Sequence, residues 1–402
     1  MIAQDFPRTI GEISEDWLSQ TLGAKVASYE ANFLEGGVLS DAFKVGITYD
    51  GDPGEAPTSV VLKMAKASAE ERASALMTNS YTKELRFFED LLDEVPITAP
   101  KLYASFSDGS ATSEFFLLVM EDLTQHSLVF DQVSDPPNAE YARKIAMEAA
   151  KLHAQYWESE TTKLPWIGRP DGRYVFGLDE LCKLVTDTWG PFRELWQETF
   201  GADIFSDEGD GPAEELTDLI CGPKSRGIHE KIYEILSSRP MTVLHGDMRA
   251  DNVFRTDPAA GKSVEDSTIT FIDWQVIHAG PPGPEFTEAW MHSLEPEVRR
   301  HDKEFLREYH DRLVELNPAA AAYTYEMLIE DYTLSHCFWW TAIITIGINT
   351  LPLMAKPEGA RMKALWGGAA VRLKTALIEL DCLSLVKSLA ADLPDDAGVA
   401  AS

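Results

Sequence analysis

The stretch that decides the reading is His245-Gly246-Asp247-Met248-Arg249-Ala250-Asp251-Asn252, which continues into Val253 and Phe254 and is followed by Phe271-Ile272-Asp273-Trp274-Gln275. The pattern is H-x-D-x-x-x-x-N, then an apolar strand closed by a second aspartate, all inside a strand–loop–strand block over residues 242–277. A lone aspartate is most often a loop cap or a surface charge, and a lone His-Gly-Asp tripeptide favours that plain role. The asparagine at this offset and the second aspartate behind an apolar strand argue for chemistry instead.

The chemistry that needs this spacing is phosphoryl transfer. It requires one carboxylate beside the attacking hydroxyl and, separately, an amide oxygen and a second carboxylate holding Mg²⁺ on the ATP phosphates. Asp247 then orients the substrate hydroxyl and accepts its proton, while Asn252 and Asp273 bind the metal. Arg249, close behind Asp247, is a cation for the transferring phosphate, with a salt bridge to Asp251 as its structural alternative.

With these residues in this order, the block resembles the aminoglycoside phosphotransferase and choline kinase superfamily, particularly its ecdysteroid-kinase-like branch. The resemblance implies an α+β, bilobal protein-kinase-like fold, with a small β-rich N-lobe and a large mainly helical C-lobe, and transfer of phosphate to hydroxyls of small molecules. It extends over most of the chain, because upstream features fall in the expected order. Lys63, in Ser59-Val60-Val61-Leu62-Lys63-Met64-Ala65, stands where the family places the lysine that binds the α- and β-phosphates, and Glu84 where it places that lysine's helix partner. Lys66 is the rival for the lysine role, but alternation puts Lys63 inside the strand and Lys66 at its end. Gly36-Gly37-Val38-Leu39-Ser40 takes the place of the phosphate-cradling loop, with backbone N–H groups of Gly37 to Ser40 as donors. It lacks the G-x-G-x-x-G of protein kinases, and alone it reads equally as a hairpin turn. Leu117-Leu118-Val119-Met120-Glu121-Asp122-Leu123 resembles the hinge, where the backbone of Glu121 and Leu123 meets adenine. One departure lies after Asp273. The superfamily often carries an aspartate there that supports the catalytic loop, and this chain reads Gly280-Pro281-Pro282-Gly283-Pro284-Glu285-Phe286, leaving Glu285 or Glu288 for that task.

Outward from these motifs, residues 10–22 read as a helix with Ser14 as N-cap, and residues 26–49 and 59–65 as strands joined by a turn rich in Gly, Pro and acid over 50–57. Residues 69–92 read as one helix, with Glu84, Phe87, Phe88, Leu91 and Leu92 along one face, and 102–106 and 115–120 as another strand pair. Beyond Met120 the pattern turns helical, over 139–157, 216–236 and 285–389, with a surface loop at 201–212 and a frayed acidic tail at 390–402. The expected division is residues 1–122 as the N-lobe, with the Gly-Gly loop, Lys63 and Glu84, and 123–402 as the C-lobe, with catalytic loop, metal site and a helical substrate-binding region.

Composition excludes several alternatives. The 402 residues are 45% hydrophobic, too apolar for a solvated coil. A formal charge of −31, with no Lys/Arg-rich run, speaks against a nucleic-acid partner. The scattered cysteines Cys182, Cys221, Cys337 and Cys382 form no metal or disulfide pattern and read as reduced, mostly buried thiols. The N-terminus has no apolar signal region, which predicts a cytoplasmic protein. Residues 332–355 carry no charge and are long enough for a bilayer, which takes about 20 residues. Internal His336, Asn349 and Pro352, and the absence of flanking basic clusters, favour a buried core helix and no membrane partner. Gly261-Lys262-Ser263 imitates the end of a P-loop, but Thr256 stands where its first glycine belongs.

These readings predict an ATP- and Mg²⁺-dependent phosphotransferase acting on a small-molecule hydroxyl. The aromatic residues Trp166, Trp189, Trp196, Phe338, Trp339 and Trp340 suit a steroid-like alcohol as well as a plain core, and the acidity suits an amino sugar or amino alcohol. The alternatives are a nucleotide-binding pseudokinase or regulatory module without turnover, against which the intact Asp247, Asn252, Asp273 and Lys63 argue, and a protein kinase, for which no activation segment is present.

Overall fold

A computed structural model describes residues 6–34, 37, 39–109, 114–168, 178–206, 213–258, 263–354, 356 and 359–394. Gly36 and Val38 of the expected phosphate loop, and Gly261 and Lys262, lie outside the described residues. The chain forms two compact units. The first comprises Met1–Val129, Pro165–Ile167 and Val253–Ile277, and the second Phe130–Leu164, Gly168–Asn252 and His278–Ser402. The block from Val253 to Ile277, with Asp273, is therefore part of the first unit, where the sequence reading had grouped it with the C-lobe.

The first unit is built on a sheet. Helix α1 (Glu15–Leu22) starts as expected at Ser14, whose hydroxyl accepts the Trp17 N–H. Strands β1 (Val26–Leu34), β2 (Ser40–Tyr49), β3 (Ser59–Ala65), β4 (Leu102–Ser107) and β5 (Phe116–Glu121) form one antiparallel sheet in the order β1-β2-β3-β5-β4. Period-two alternation sends Val45, Val60, Leu62, Leu117 and Val119 to the buried face that packs with Leu18 of α1. The single helix expected over 69–92 is instead α2 (Ala69–Met77) and α3 (Ser80–Arg86), the latter running into one π turn at Phe87–Leu91. The break is local: Asn79 sits at φ 56°, a left-handed conformation that asparagine tolerates and a continuing helix does not. Strands β6 (Leu128–Val129), β8 (Val253–Arg255) and β9 (Ile269–Phe271) make a small second sheet in the order β6-β8-β9.

The second unit is mainly helical: α4 (Ala139–Gln155), α5 (Leu178–Phe200), α6 (Ala213–Cys221), α7 (Ser225–Ser237), α8 (Gly283–Ser293), α9 (Pro296–Arg299), α10 (Asp302–Leu316), α11 (Tyr325–Met354), α12 (Ala360–Glu379) and α13 (Cys382–Ala390), with one ribbon of β7 (Thr242–Leu244) and β10 (His278–Gly280). The helix expected over 216–236 is divided into α6 and α7 at Gly222-Pro223, a pair that does not continue a helix. Helix α11 contains the uncharged stretch and is long and apolar enough to span a bilayer, yet Leu334, Cys337, Trp340, Ile344 and Leu351 are buried against Phe192, Phe205 and Ile228. It is a core helix of this unit. All four cysteines are buried thiols. The α+β architecture expected from the sequence is thus present, a β-rich N-terminal part followed by a large helical one.

Candidate active site

In the first unit, the ladder opposes Lys63 to Ala42 on β2 and to Leu118 on β5, and its side chain is buried. Lys63 Nζ donates to Glu84 Oε1 at 2.7 Å and to Asp273 Oδ1 at 2.9 Å. Burial alone would lower the ammonium's pKa, but the two carboxylates, Asp273 ahead of Glu84, overcome it and raise it. Glu84 is also buried, and desolvation pushes its carboxyl up to about 7 against the opposing pull of Lys63. Asp273 leaves β9 at φ 68°, a left-handed conformation open to aspartate. Next to it Trp274 is fully buried, stacked on Phe87 with ring centroids 3.7 Å apart, and its Nε1–H bonds the Phe271 carbonyl. Asp273 Oδ2 accepts from Gln275 Nε2 at 3.0 Å.

Lys66 is engaged elsewhere. Its Nζ donates to the Gly37 carbonyl at 2.9 Å and to Asp41 Oδ1 at 2.8 Å. Of the two lysines, Lys63 is the one that pairs with Glu84. The turn at Gly37 is tight: a Cβ there would lie 2.3 Å from the Ser40 carbonyl oxygen, so glycine is required. Ser40 is buried at the start of β2. At the end of β5, the N–H of Glu121 donates to the Lys101 carbonyl and its Oε2 accepts the Lys101 N–H. Leu123 is buried and its carbonyl accepts from Ser127 N–H. Between them, Asp122 accepts from Ser59, Thr124 and Gln125 and lies 3.0 Å from Lys44 Nζ. Burial works to raise its pKa, but these donors win and hold it down to about 2. Sequence reasoning placed Asp122 within the hinge-like segment and gave it no role of its own.

In the second unit, β7 delivers the loop that begins at His245. Gly246 takes a left-handed turn at φ 86°, and the loop is clamped from α8: Glu285 accepts the N–H of His245 and the N–H of Gly246, each at 2.8 Å. The clamp is backed by His153, whose Nε2 lies 3.5 Å from Glu285 and whose Nδ1 is 2.7 Å from the Tyr309 hydroxyl. Burial opposes ionisation of Glu285, but His153 and its charged surroundings prevail and lower its pKa. Asp247 N–H donates to His245 Nδ1, and Asn252 Nδ2 donates to the Asp247 carbonyl at 3.0 Å. Arg249 lies 3.6 Å from Asp247 Oδ2, whereas Asp251 accepts from the Gln132 N–H and from Arg361, so the alternative pairing of Arg249 with Asp251 is not the one formed.

One turn along α8 from Glu285, Glu288 turns its carboxyl to that of Asp247. Glu288 is 7% exposed. Burial first, and the Asp247 charge second, push the Glu288 pKa well up. A further turn on, His292 Nε2 lies 3.8 Å from Glu288, and its pKa is pushed down to about 3 by burial and by Arg249 and Arg372. Its ring meets Trp339 of α11 edge-on, with centroids 5.7 Å apart.

The sequence profile of the phosphotransferase enzyme family matches residues 30–323. The chain belongs to that family. It is a phosphotransferase. Among solved structures it is similar to a putative aminoglycoside phosphotransferase from Ralstonia eutropha (12% identity, 88% of this chain and 96% of that one, TM-score 0.45). It is also similar to a choline kinase from Streptococcus pneumoniae (13%, 89% and 97%, 0.42) and to a Plasmodium vivax ethanolamine kinase (15%, 85% and 82%, 0.37). No curated protein matches the chain by sequence.

For this phosphotransferase the donor chemistry of the two expected metal ligands fits Mg²⁺, a hard cation held by one or two protein oxygens with phosphates completing its shell. Asn252 spends its amide N–H on the Asp247 carbonyl, which assigns the amide oxygen as the acceptor end, and Asp273 supplies a carboxylate. The carboxylates that sequence reasoning left undecided, Glu285 and Glu288, and His292, which it missed, lie on one face of α8. Glu285, Glu288 and His292 follow the i, i+3, i+7 spacing of a helix face, and that spacing is the signal that could have grouped them.

Proposed function

We propose that this phosphotransferase moves the γ-phosphate of ATP, with Mg²⁺, to a hydroxyl of a small molecule in the cytoplasm. The observation that carries the reading is Lys63, buried between Glu84 and Asp273. A cation held in place by two carboxylates is an arrangement suited to nucleotide phosphates, because the ammonium is fixed before the ligand arrives. Lys63 takes the α- and β-phosphates, the backbone amides of Gly37 and Ser40 face phosphate oxygens, and the backbone of Glu121 and Leu123 receives adenine. Asn252 and Asp273 hold Mg²⁺, which neutralises phosphate charge when bound. Asp247, on its clamped loop, orients the acceptor hydroxyl and takes its proton, and Arg249 balances charge beside it. The acceptor is an amino sugar, an amino alcohol or a steroid-like alcohol.

The test is incubation with Mg·ATP and a pool of sugars, amino sugars, amino alcohols, steroids and other alcohols, read by mass spectrometry, with Asp247→Ala in parallel. A phosphorylated product made only by the intact protein is expected, since losing a positioned base costs about 100-fold or more. Full transfer by Asp247→Ala would sink the assigned mechanism.

A further inference from the structure

Lys66 stands on a rigid post. Its backbone N–H donates to the Tyr81 hydroxyl at 3.2 Å, and its carbonyl accepts from Arg72 Nη1 at 3.0 Å. Arg72 is 5% exposed, also bonds the Ala67 carbonyl, and lies over the Phe115 ring. Tyr81 is 1% exposed, stacked on Phe116, and donates its hydroxyl to the Leu39 carbonyl at 2.7 Å. From this post the Lys66 side chain, itself largely buried, crosses to the Gly37 carbonyl and to Asp41. Two carbonyls of the glycine turn, those of Gly37 and Leu39, are thus tied to the end of β3 and to α3. Each of these bonds holds the carbonyl it reaches, so Gly37 and Leu39 are both anchored just ahead of β2.

We infer that Lys66 is a positioning residue for nucleotide binding: together with Tyr81 it holds the turn at Gly37 and Leu39 in the shape that accepts the terminal phosphates of ATP. The inference rests on the reading of that turn as the phosphate cradle. It assigns Lys66 a role distinct from that of Lys63, since Lys66 spends its charge on Asp41 and a carbonyl of the turn.

The experiment is calorimetric titration of the full chain with Mg²⁺ and a non-hydrolysable ATP analogue, and separately with AMP, for wild type, Lys66→Met, Lys66→Arg and Asp41→Asn. Lys66→Met is expected to weaken the triphosphate analogue about tenfold, the loss of one charged hydrogen bond, and to leave AMP within about twofold. Lys66→Arg restores most of the affinity. Asp41→Asn decides between positioning and direct phosphate contact, and also serves if Lys66→Met does not fold. If Lys66 positions the turn, loosening its anchor weakens the analogue. If Lys66 bound phosphate itself, freeing it would strengthen binding, and that result overturns the inference. So does an unchanged Lys66→Met, or one that loses triphosphate and AMP equally. A wild-type protein that binds neither ligand overturns the ATP-dependent reading and this inference together, whereas wild-type binding with unaffected variants overturns the inference alone.

Discussion

The carboxyl of Glu288 lies against that of Asp247 with Glu288 almost wholly buried, so the two cannot both carry full charge without cost. The pair settles this by keeping a proton on Glu288, whose pKa is raised well above the ordinary 4.5. A folded-state pKa above the unfolded one means that the folded protein binds more protons, so stability falls as pH rises beyond 4.5 toward the raised value. Glu288→Gln keeps the shape and removes the titration. Its melting temperature is expected to exceed that of wild type by an amount that grows between pH 5 and 8, to about 1–3 °C. A difference that does not change with pH would show that Glu288 is not the proton carrier.

Glu285 accepts the N–H groups of both His245 and Gly246. Glu285→Ala removes the acceptor from the buried His245 N–H, at a cost of about 1–3 kcal/mol, and from the partly buried Gly246 N–H as well. Urea unfolding should show that loss. Glu285→Gln, which retains one acceptor oxygen, is expected to fall between wild type and alanine in both stability and turnover. Equal turnover in all three would mean that the clamp does not place Asp247.

Much of the candidate site was legible because the chemistry proposed for it constrains spacing. Asp247, Asn252 and Asp273 stand out by offset alone, and strand alternation separates Lys63 from Lys66: Lys63 lies inside the ladder, opposite Ala42 and Leu118. What the sequence hid has local or long-range causes. Asn79 breaks the helix over 69–92 by one left-handed residue, a choice that composition does not announce. The division of labour between Glu285 and Glu288 depends on where α8 begins after a run of prolines, because one residue of phase decides which carboxylate meets the loop amides and which meets Asp247. The partners of Asp122, Lys44 and Ser59, are distant in sequence, so its burial was not visible in the hinge-like segment that contains it.

Asp122 gives a second pH dependence, of opposite sign. Its folded-state pKa of about 2 lies below the ordinary 3.8, so the stability it contributes is present above 3.8 and is lost as pH falls toward 2. Asp122→Asn is expected to be less stable than wild type at pH 6, with a gap that closes as pH drops below 4, measured by urea midpoint. A gap of constant size would assign the loss to packing and not to charge.

The Lys63 ion pairs separate stability from function. Lys63→Met leaves Glu84 buried without its cation and removes a partner of Asp273, a change that costs about 3–5 kcal/mol when a buried pair is broken from one side. Glu84→Gln in the same chain removes the stranded charge, so the double variant is expected to recover part of the stability lost by Lys63→Met. Nucleotide affinity is not expected to follow, because the ammonium proposed to meet the phosphates is still missing. Chemical denaturation and nucleotide titration on wild type, Lys63→Met and the double variant therefore give two patterns. Stability that partly returns while affinity stays low supports Lys63 as a phosphate ligand. Affinity that returns with stability would reduce the lysine to a structural counter-ion.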